Sequence, residues 1–488
     1  MEKLKKLFNQ FLNSALPVAA LALLAFIPLY PKFPVLDIPG TYVKIRLEDF
    51  LVAASLGLVF LKFLTNRRKT TSLGINRAII FYWLVGGISL LGAIFSLKLV
   101  VPHLVILHYL RRIEYMGLFF LGFLAIREKK EINVFLNALF LTTFLVFIYG
   151  LGQKFFGWPV VSTMNEEFSK GMLLRLDAWA RISSTFSGHY DLAAFLSLVL
   201  PLILATLIKS HSKKKQVLLG FLYLFTYFLL LNTASRVSFV AYLIAIFCLL
   251  IFLNKKWLII PVVGLSLLGM FFSEDITQRF AATIKVEGPK IVQKISRTLE
   301  SLLPEEKQQD LAQKRLLTPT PIAIGKEITE EEAKKRIAPP ITVGITPKPT
   351  PTLMPSRQEA TEIEVERSGD IRFGVEWPIA IKHFKKSPLL GTGYSSLGLA
   401  TDNDYLRALG ETGLLGLLSF LLIFLEGLKL ILEKGRKDWL GKAMSASTLA
   451  MLANAYFIDV FEASKVADTF WLLLGLTVGY LNHEEKNS

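Results

Sequence analysis

Short clusters of lysine and arginine, separated by pairs of apolar segments, constrain this chain more than any other feature. Six such clusters occur, at 3–6, 67–69 with Arg77, 127–130, 209–215, 255–256 and 434–437. Basic clusters that recur after every two apolar segments are typical of a membrane protein in which every second loop lies in the cytoplasm. The pattern therefore predicts a chain that crosses the membrane many times in a defined orientation.

The apolar segments between the clusters are numerous and long. With 52% hydrophobic residues and a mean hydropathy of +0.48, the chain is too apolar for a soluble protein of 488 residues. A helix needs about 20 apolar residues to cross a bilayer. We predict twelve spans, at 15–31, 47–64, 78–97, 99–126, 132–156, 183–208, 216–232, 234–253, 257–273, 405–432, 442–460 and 466–481. The expected fold class is all-α and polytopic, with about twelve transmembrane helices and both termini in the cytoplasm.

One long segment interrupts this series between the ninth and tenth predicted spans. We divide the chain into 1–273 with helices 1–9, a large external loop at 274–404, and 405–488 with helices 10–12 and a cytoplasmic tail. Within the loop, about 300–368 is poor in aromatic residues and rich in Pro, Thr, Glu and Lys, a composition that cannot bury enough apolar surface to fold. We predict a disordered insertion there, and expect the part after it to pack back onto the membrane body.

The net charge of +16 raises the question of a nucleic-acid partner. The large loop is close to neutral, and the surplus of basic residues lies in the predicted cytoplasmic loops. The charge is therefore a topology signal, and we expect membrane lipids and no nucleic acid as partners. Cys248 lies within an apolar span and, as the single cysteine, forms no disulfide within the chain.

Five polar segments stand out, because charges at membrane depth are costly and usually face a cavity or a partner. They are 181–191 at the start of span six, 232–236 between spans seven and eight, 372–394 at the end of the loop, 402–413 at the start of span ten, and 111–114 within span four. By the predicted topology the first four lie at the external face. We expect them to share one boundary layer although they are distant in sequence.

The external segments present single arginines, whereas the cytoplasmic clusters are mostly lysine. A planar guanidinium forms two parallel hydrogen bonds to a phosphate, so its rigid fork suits a diphosphate better than a point charge does. A helix N-terminus behind Ser235 or Ser183 would add backbone donors for an anion. We therefore expect Arg181, Arg236 and Arg372 to hold a lipid diphosphate.

The same polar residues also have purely structural interpretations. Arg236 can anchor its helix at lipid headgroups. Arg407 and Glu411 are four residues apart and can pair with each other. Asp402 and Asn403 are good N-caps for a helix that starts near Tyr405. None of these residues is decisive alone.

Two further sites are open to both interpretations. His189 can be an interfacial histidine whose hydrogen bonds are satisfied. Arg111, Arg112 and Glu114 can form a buried structural network, although three charges in one span also favour a cavity. The functional interpretation depends on the predicted position of four of the five polar segments at the same external face.

Four segments together resemble one known family. The stretch 181–194, with its Thr-Phe-x-Gly-His core, resembles the signature of the O-antigen ligase and polymerase family. Ser235-Arg236 is similar to that family's Ser-Arg motif. The segments 368–377 and 388–393 resemble the end of its long external loop, and 402–416 resembles the segment that follows the loop. The motifs cover about 181–420 and occur in the family's order.

This resemblance implies an inverting membrane glycosyltransferase with a GT-C-like helical fold in the cytoplasmic membrane. Members of the family transfer a glycan from an undecaprenyl-diphosphate carrier to a glycan, lipid or protein acceptor on the outside. The leaving group is the lipid diphosphate, so the resemblance implies neither a cofactor nor a metal. The expected substrate-binding residues are Arg181, Arg236, Arg372, Asn403, Tyr394, Glu411, Arg111 and Arg112.

One residue departs from the family pattern. Lipid-A-core ligases generally carry a histidine where this chain has Asp402. A carboxylate can also take a proton from an attacking hydroxyl, so we expect Asp402 to be the catalytic base and His189 to be the second candidate. The departure leaves the polymerase and protein-transfer branches open beside the ligase branch, and slightly favours the polymerase.

Two other function classes are compatible with a polytopic protein. A transporter or flippase for lipid-linked sugars is expected to show Gly- or Pro-broken spans at matching positions of two halves. The sequence shows no such pairing, with Pro102 in the fourth span as the one possible break. A scaffold that displays the Pro/Thr-rich loop would leave the external arginines without a role. The glycosyltransferase is therefore favoured, with the transporter or flippase as the alternative.

Overall fold

The computed structural model of the chain describes residues 2–41, 43–65, 73–97, 100–163, 167–176, 180–271, 273, 275–286, 288, 365–398, 400–436 and 438–483. The chain divides into two compact units, one of Met1–Ile276 with Glu376–Ser488 and the other of Thr277–Val375. The insertion predicted at about 300–368 lies outside the described residues except for 365–368. In the second unit, Arg372 begins the π-helical turn Arg372–Glu376.

The first unit is built almost entirely of helices. Its helices are α1 (Glu2–Leu29), α2 (Leu47–Thr65), α3 (Gly74–Leu91, extended by a π-helical turn at Gly92–Leu97), α4 (Pro102–Ala125), α5 (Ile132–Phe156), α6 (His189–Lys209), α7 (Lys213–Asn232), α8 (Arg236–Phe252), α9 (Ile259–Phe271), α10 (Trp377–Lys386), α11 (Asp404–Lys434), α12 (Trp439–Asn454) and α13 (Ser464–Asn482). Two short antiparallel hairpins follow α1 and α5: β1 (Pro34–Leu36) with β2 (Ile45–Arg46), and β3 (Val160–Val161) with β4 (Leu173–Leu174).

Each predicted span coincides with one of these long helices. The largest difference is at α1, which begins at Glu2 instead of near 15. α6 begins at His189 instead of near 183, because the residues before it are buried but not helical. In the described part of the chain, six helices are long and apolar enough to cross a membrane, or up to seven if Lys256–Phe271 and Asp275–Val286 form one span. The chain is an all-α polytopic membrane protein.

Two helices that carry charges lie in the interior of the helix bundle. α4 and α13 pack along each other, and both are largely buried. A Cβ atom on Gly475 would lie 2.0 Å from the carbonyl oxygen of Phe119, and one on Gly122 would lie 2.3 Å from that of Leu472. Small residues let membrane helices approach this closely. The contact places the polar residues of α4, among them Arg112, inside the bundle.

A break divides α11 into two parts. Gly413 has φ 69° and ψ −167°, which is not helical. The 31 residues of α11 would span about 46 Å as one helix, more than the roughly 30 Å of a bilayer core. Residues 414–434 are sufficient to cross the core, so the charged residues of 404–412 precede the membrane segment.

Candidate active site

Backbone strain is concentrated in the segments that the sequence singles out. Among the described residues, positive φ occurs at five positions other than glycine: Ser184, Ala234, Asn254, Ser395 and Asp402. Three of these positions lie within the polar segments, and Ser395 directly follows another. Such conformations cost roughly 1–3 kcal/mol each and persist where surrounding contacts impose them, as they often do at active sites. Two of the strained positions, Ser184 and Asp402, thus lie within segments that resemble family motifs, and Ala234 directly precedes a third.

The break in α11 is filled by the loop segment 388–393. Four backbone hydrogen bonds of 2.8–3.2 Å join the two: Leu414 N to Pro388 O, Leu415 N to Leu389 O, Thr392 N to Gly410 O and Gly393 N to Glu411 O. Backbone groups that the break deprives of helical partners are thereby satisfied. Gly413 is required here, because a Cβ would lie 2.4 Å from the carbonyl carbon of Leu389. Two segments that resemble separate family motifs therefore form one structural unit.

A network of buried charges surrounds this unit. Arg407 donates to Glu411 over 3.3 Å and to Asp459 over 2.9 Å. Arg112 lies 3.7 Å from Glu411 and also contacts Glu462. The pairing of Arg407 with Glu411 is confirmed as part of this larger network. Buried charges at this density are tolerated when each has a partner of opposite sign.

A cavity opens beside the network. Its lining carries two guanidiniums and three carboxylates, those of Arg112, Arg407, Asp404, Glu411 and Glu462. The Arg112 guanidinium lies 5.7 Å from the centre of the Tyr394 ring, and its Nη1 makes no hydrogen bond among the described residues. Burial raises the pKa of Tyr394 well above its ordinary value, so its hydroxyl stays protonated. The lining suits hydroxyl groups better than a further anion.

Asp459, in the turn between α12 and α13, holds the segment that precedes α11. Its Oδ2 accepts from Thr401 N over 2.9 Å and from Asp402 N over 3.1 Å, and its Oδ1 accepts from Asn403 N over 3.0 Å. Burial alone would raise the pKa of Asp459, but the Arg407 guanidinium and these N–H donors outweigh burial and hold the pKa below its usual range. Asp459 is therefore an ionised carboxylate that accepts from three consecutive amides.

The N-cap of α11 is Asn403. Asn403 Oδ1 accepts from Leu406 N over 2.9 Å, and its Nδ2 donates to Tyr456 O over 3.0 Å. Asp402 precedes the cap, is half-buried and has φ 50°. The N-cap interpretation is confirmed for Asn403 and wrong for Asp402, because α11 begins at Asp404 and the capping oxygen belongs to Asn403.

Arg181 and His189 lie against each other at the start of α6. Arg181 Nη1 is 2.5 Å from His189 Nε2. A guanidinium can only donate, so this histidine nitrogen is the acceptor. Burial lowers the pKa of Arg181 below its ordinary value, and the neighbouring Tyr190 partly offsets this effect. The pair holds the guanidinium next to the N-terminus of α6, an end of a helix that favours anions.

The segment between these two residues is buried and held by side chains of other helices. Gln153 donates to Ser184 O and accepts from Ser184 N, both over 2.7 Å. Lys465 donates to Thr185 O over 2.7 Å and lies 5.1 Å from the centre of the Phe186 ring. The expected helix N-terminus behind Ser183 is wrong, because these contacts keep the segment out of helical geometry until His189.

The turn 232–236 lies beside the first motif. Ile182 N donates to Asn232 O over 3.3 Å. Ser235 is the N-cap of α8, as the sequence suggests, and its side chain accepts from Ser238 N. Arg236 is the first residue of α8 and is half-buried.

The end of α12 connects the two groups of motif residues. Asn454 Oδ1 accepts from Ser238 Oγ over 2.7 Å, next to the Ser-Arg turn. The following residue, Ala455, accepts from Asp404 N over 2.9 Å at the start of α11. The Ser-Arg turn and the start of α11 are therefore both hydrogen-bonded to the end of α12.

One predicted site residue of the first unit lies apart from this arrangement. Arg111, although adjacent to Arg112, faces the start of α2 and donates to Lys44 O over 3.3 Å, with Asp49 at 3.8 Å. Arg111 and Arg112 thus belong to different polar clusters. Arg372 lies in the second unit.

Sequence reasoning missed several residues of the charge network. Asp404, Asp459 and Glu462 line the cavity or adjoin it, and none is among the predicted site residues. A signal was present: Asp459 and Glu462 are acidic residues at the end of an apolar predicted span, where charges are rare.

A comparison with known families agrees with this geometry. No curated protein compared with the chain matches it. Residues 219–421 match the family model described as O-Antigen ligase, a region that includes the Ser-Arg turn, the segment 388–393 and the start of α11. The match supports the resemblance for the motifs within 219–421, where the chain carries an O-antigen ligase domain; the segment 181–194 lies outside the matched residues.

Proposed function

We propose that the protein transfers a glycan from an undecaprenyl-diphosphate carrier to an acceptor at the outer face of the cytoplasmic membrane, in the synthesis of a cell-surface polysaccharide. The observation that carries the proposal is the convergence of motif segments on the end of α12, within a chain that carries an O-antigen ligase domain. The acceptor is a glycan, lipid or protein hydroxyl.

The diphosphate is proposed to bind at the arginines and not in the cavity. Arg181 is held at the N-terminus of α6, and Arg236 is the first residue of α8, so both stand where backbone N–H groups favour an anion. Arg372 is proposed as the third ligand, from the sequence alone. The guanidiniums that line the cavity are already paired with carboxylates, which disfavours a diphosphate there.

The acceptor is proposed to bind on the side of α11. Arg112, Glu411 and Tyr394 line the cavity and present groups that hydrogen-bond hydroxyls. Asn403, the N-cap of α11, is proposed to hold this side of the site in place. Arg111 is left out of this proposal, because its contacts are with the start of α2.

Asp402 is proposed to be the base. Its carboxylate takes the proton of the acceptor hydroxyl, whose oxygen attacks the anomeric carbon as the bond from that carbon to the diphosphate oxygen breaks. The lipid diphosphate leaves with the bonding electrons, and the arginines stabilise its charge. His189 is less suited to be the base while its Nε2 accepts from Arg181.

Consumption of lipid-linked glycan by the purified protein tests the assignment. Asp402→Asn should lower kcat by about 10²–10⁴-fold, the usual contribution of a general base. Folding should survive, since asparagine also tolerates positive φ. The matched control is Asp37→Asn, whose carboxylate is 80% exposed beside Lys44 in the first hairpin. Equal rates in the two variants would remove Asp402 from the mechanism.

A further inference from the structure

The carboxylate of Asp459 is fully occupied by one short segment of chain and the helix that follows it. Three of its four hydrogen bonds come from the consecutive amides of Thr401, Asp402 and Asn403, and the fourth comes from Arg407 over 2.9 Å. The contact is between residues more than 50 positions apart in sequence, so it fixes tertiary structure.

The segment needs such a clamp. Asp402 has φ 50°, a conformation that a non-glycine residue keeps only where its surroundings impose it. The N–H groups of Thr401, Asp402 and Asn403 all donate to the Asp459 carboxylate. Without these bonds, nothing in the local sequence favours the positive φ over an extended backbone.

We infer that Asp459 is a positioning residue for the proposed transfer: it fixes the backbone at 401–403 and so sets where the Asp402 carboxylate stands relative to the acceptor. The inference rests on the proposed function. Asp459 itself takes no part in proton transfer, because its oxygens are engaged by backbone and guanidinium donors.

The chemistry of the clamp dictates the variants. In Asp459→Asn one carboxylate oxygen is replaced by an NH₂ group. Whichever way the amide is turned, this donor faces a backbone N–H, which is also a donor, so at least one hydrogen bond is lost. Asp459→Glu keeps the carboxylate on a longer side chain and should restore part of the effect. The matched control is Asp438→Asn at the other end of α12. Asp438 accepts from Leu440 N and Gly441 N through one oxygen, which asparagine retains. Its second oxygen accepts from the Tyr480 hydroxyl, and a hydroxyl can instead accept from the NH₂ group of asparagine.

Steady-state kinetics give the first readout. Asp459→Asn should lower kcat about 100-fold, as expected when a reacting group is misplaced by about 1 Å, with the KM for the lipid-linked donor nearly unchanged. Asp459→Glu should lie between this variant and the wild type, and Asp438→Asn should match the wild type. A wild-type kcat in Asp459→Asn, or a loss confined to KM, would overturn the inference.

A second readout does not depend on glycan transfer. In a Cys248→Ser background, Asp402→Cys provides one thiol, whose rate of reaction with a small water-soluble maleimide reports the position of the segment. Adding Asp459→Asn should change this rate several-fold, whereas adding Asp438→Asn should not. An unchanged rate overturns the inference. A changed rate, combined with a wild-type protein that consumes no lipid-linked glycan, would defeat the proposed function and leave the clamp standing.

Discussion

Arg181 and His189 form a residue pair in which each limits the chemistry of the other. The guanidinium has no acceptor, so the contact of 2.5 Å uses the lone pair of His189 Nε2. An imidazole used in this way orients its partner and has no free lone pair on that nitrogen for a substrate proton. We therefore propose that Arg181 binds the leaving group and that His189 orients the Arg181 guanidinium.

Substitutions at this pair should separate orientation from base catalysis. Arg181→Lys keeps the charge but loses the planar fork, and should lower kcat/KM by roughly tenfold to 150-fold, equivalent to about 1.5–3 kcal/mol for a charged hydrogen bond. His189→Gln keeps an acceptor for Arg181 and should retain more activity than His189→Ala. Donor consumption by the purified variants measures both. Equal, near-complete loss in the two His189 variants would instead favour a histidine base.

At the residue scale, the sequence predicted local pairs better than distant ones. Arg407 and Glu411 were accessible to prediction, because residues four apart share one helix face. The Asp459 partner of Arg407 lies 52 positions away and is brought near only by the packing of α11 against α12. The different directions of Arg111 and Arg112 likewise depend on which helices surround α4.

The broken helix α11 is the element on which the proposed site depends. Its first part carries Arg407 and Glu411, and its second part is the apolar membrane segment. The loop segment 388–393 supplies backbone partners at the break, so the end of the loop and the start of the helix are held together. A change at the break should therefore disturb the charge network as well as the helix.

Gly413→Ala tests this dependence. Gly413 has a backbone conformation that is essentially restricted to glycine, and an added Cβ would lie 2.4 Å from Leu389. The variant should lose at least about 1–3 kcal/mol of stability, seen as a lower Tm in detergent. Gly57→Ala, in the middle of α2 with nothing within 4 Å of the new Cβ, is the control and should hold or raise Tm. Equal Tm values would mean that the break is not required.

The ends of a helix were predicted well from hydropathy where the whole apolar segment is helical, as in α5. The prediction failed at α6, because the apolar and small residues before His189 are buried in a non-helical segment held by Gln153 and Lys465. The break at Gly413 was also not predicted, since an isolated glycine in an apolar helix gives no sign of the loop that fills it.

At the scale of the whole molecule, the sequence predicted which segments form helices but not how the helices pack. Hydropathy indicates which segments are buried in the membrane or the protein core, but it does not indicate which helices pack against each other. α4 is an example: its three charged residues make it less apolar than a typical membrane span, yet it packs against α13 within the bundle. Glycines on both helices make this contact possible.

The orientation of the molecule is the remaining large-scale prediction. If the basic clusters lie in the cytoplasm, the segment at about 300–368 is outside, together with the start of α11 and the proposed base. Protease added to intact spheroplasts should then cut within 300–368, because its composition does not support a packed core. The cytoplasmic connection between α11 and α12 should be cut only after the membrane is permeabilised. Protection of 300–368 in intact spheroplasts, with cutting after permeabilisation, would reverse the orientation and place Asp402 and Arg181 on the side where an external acceptor is absent.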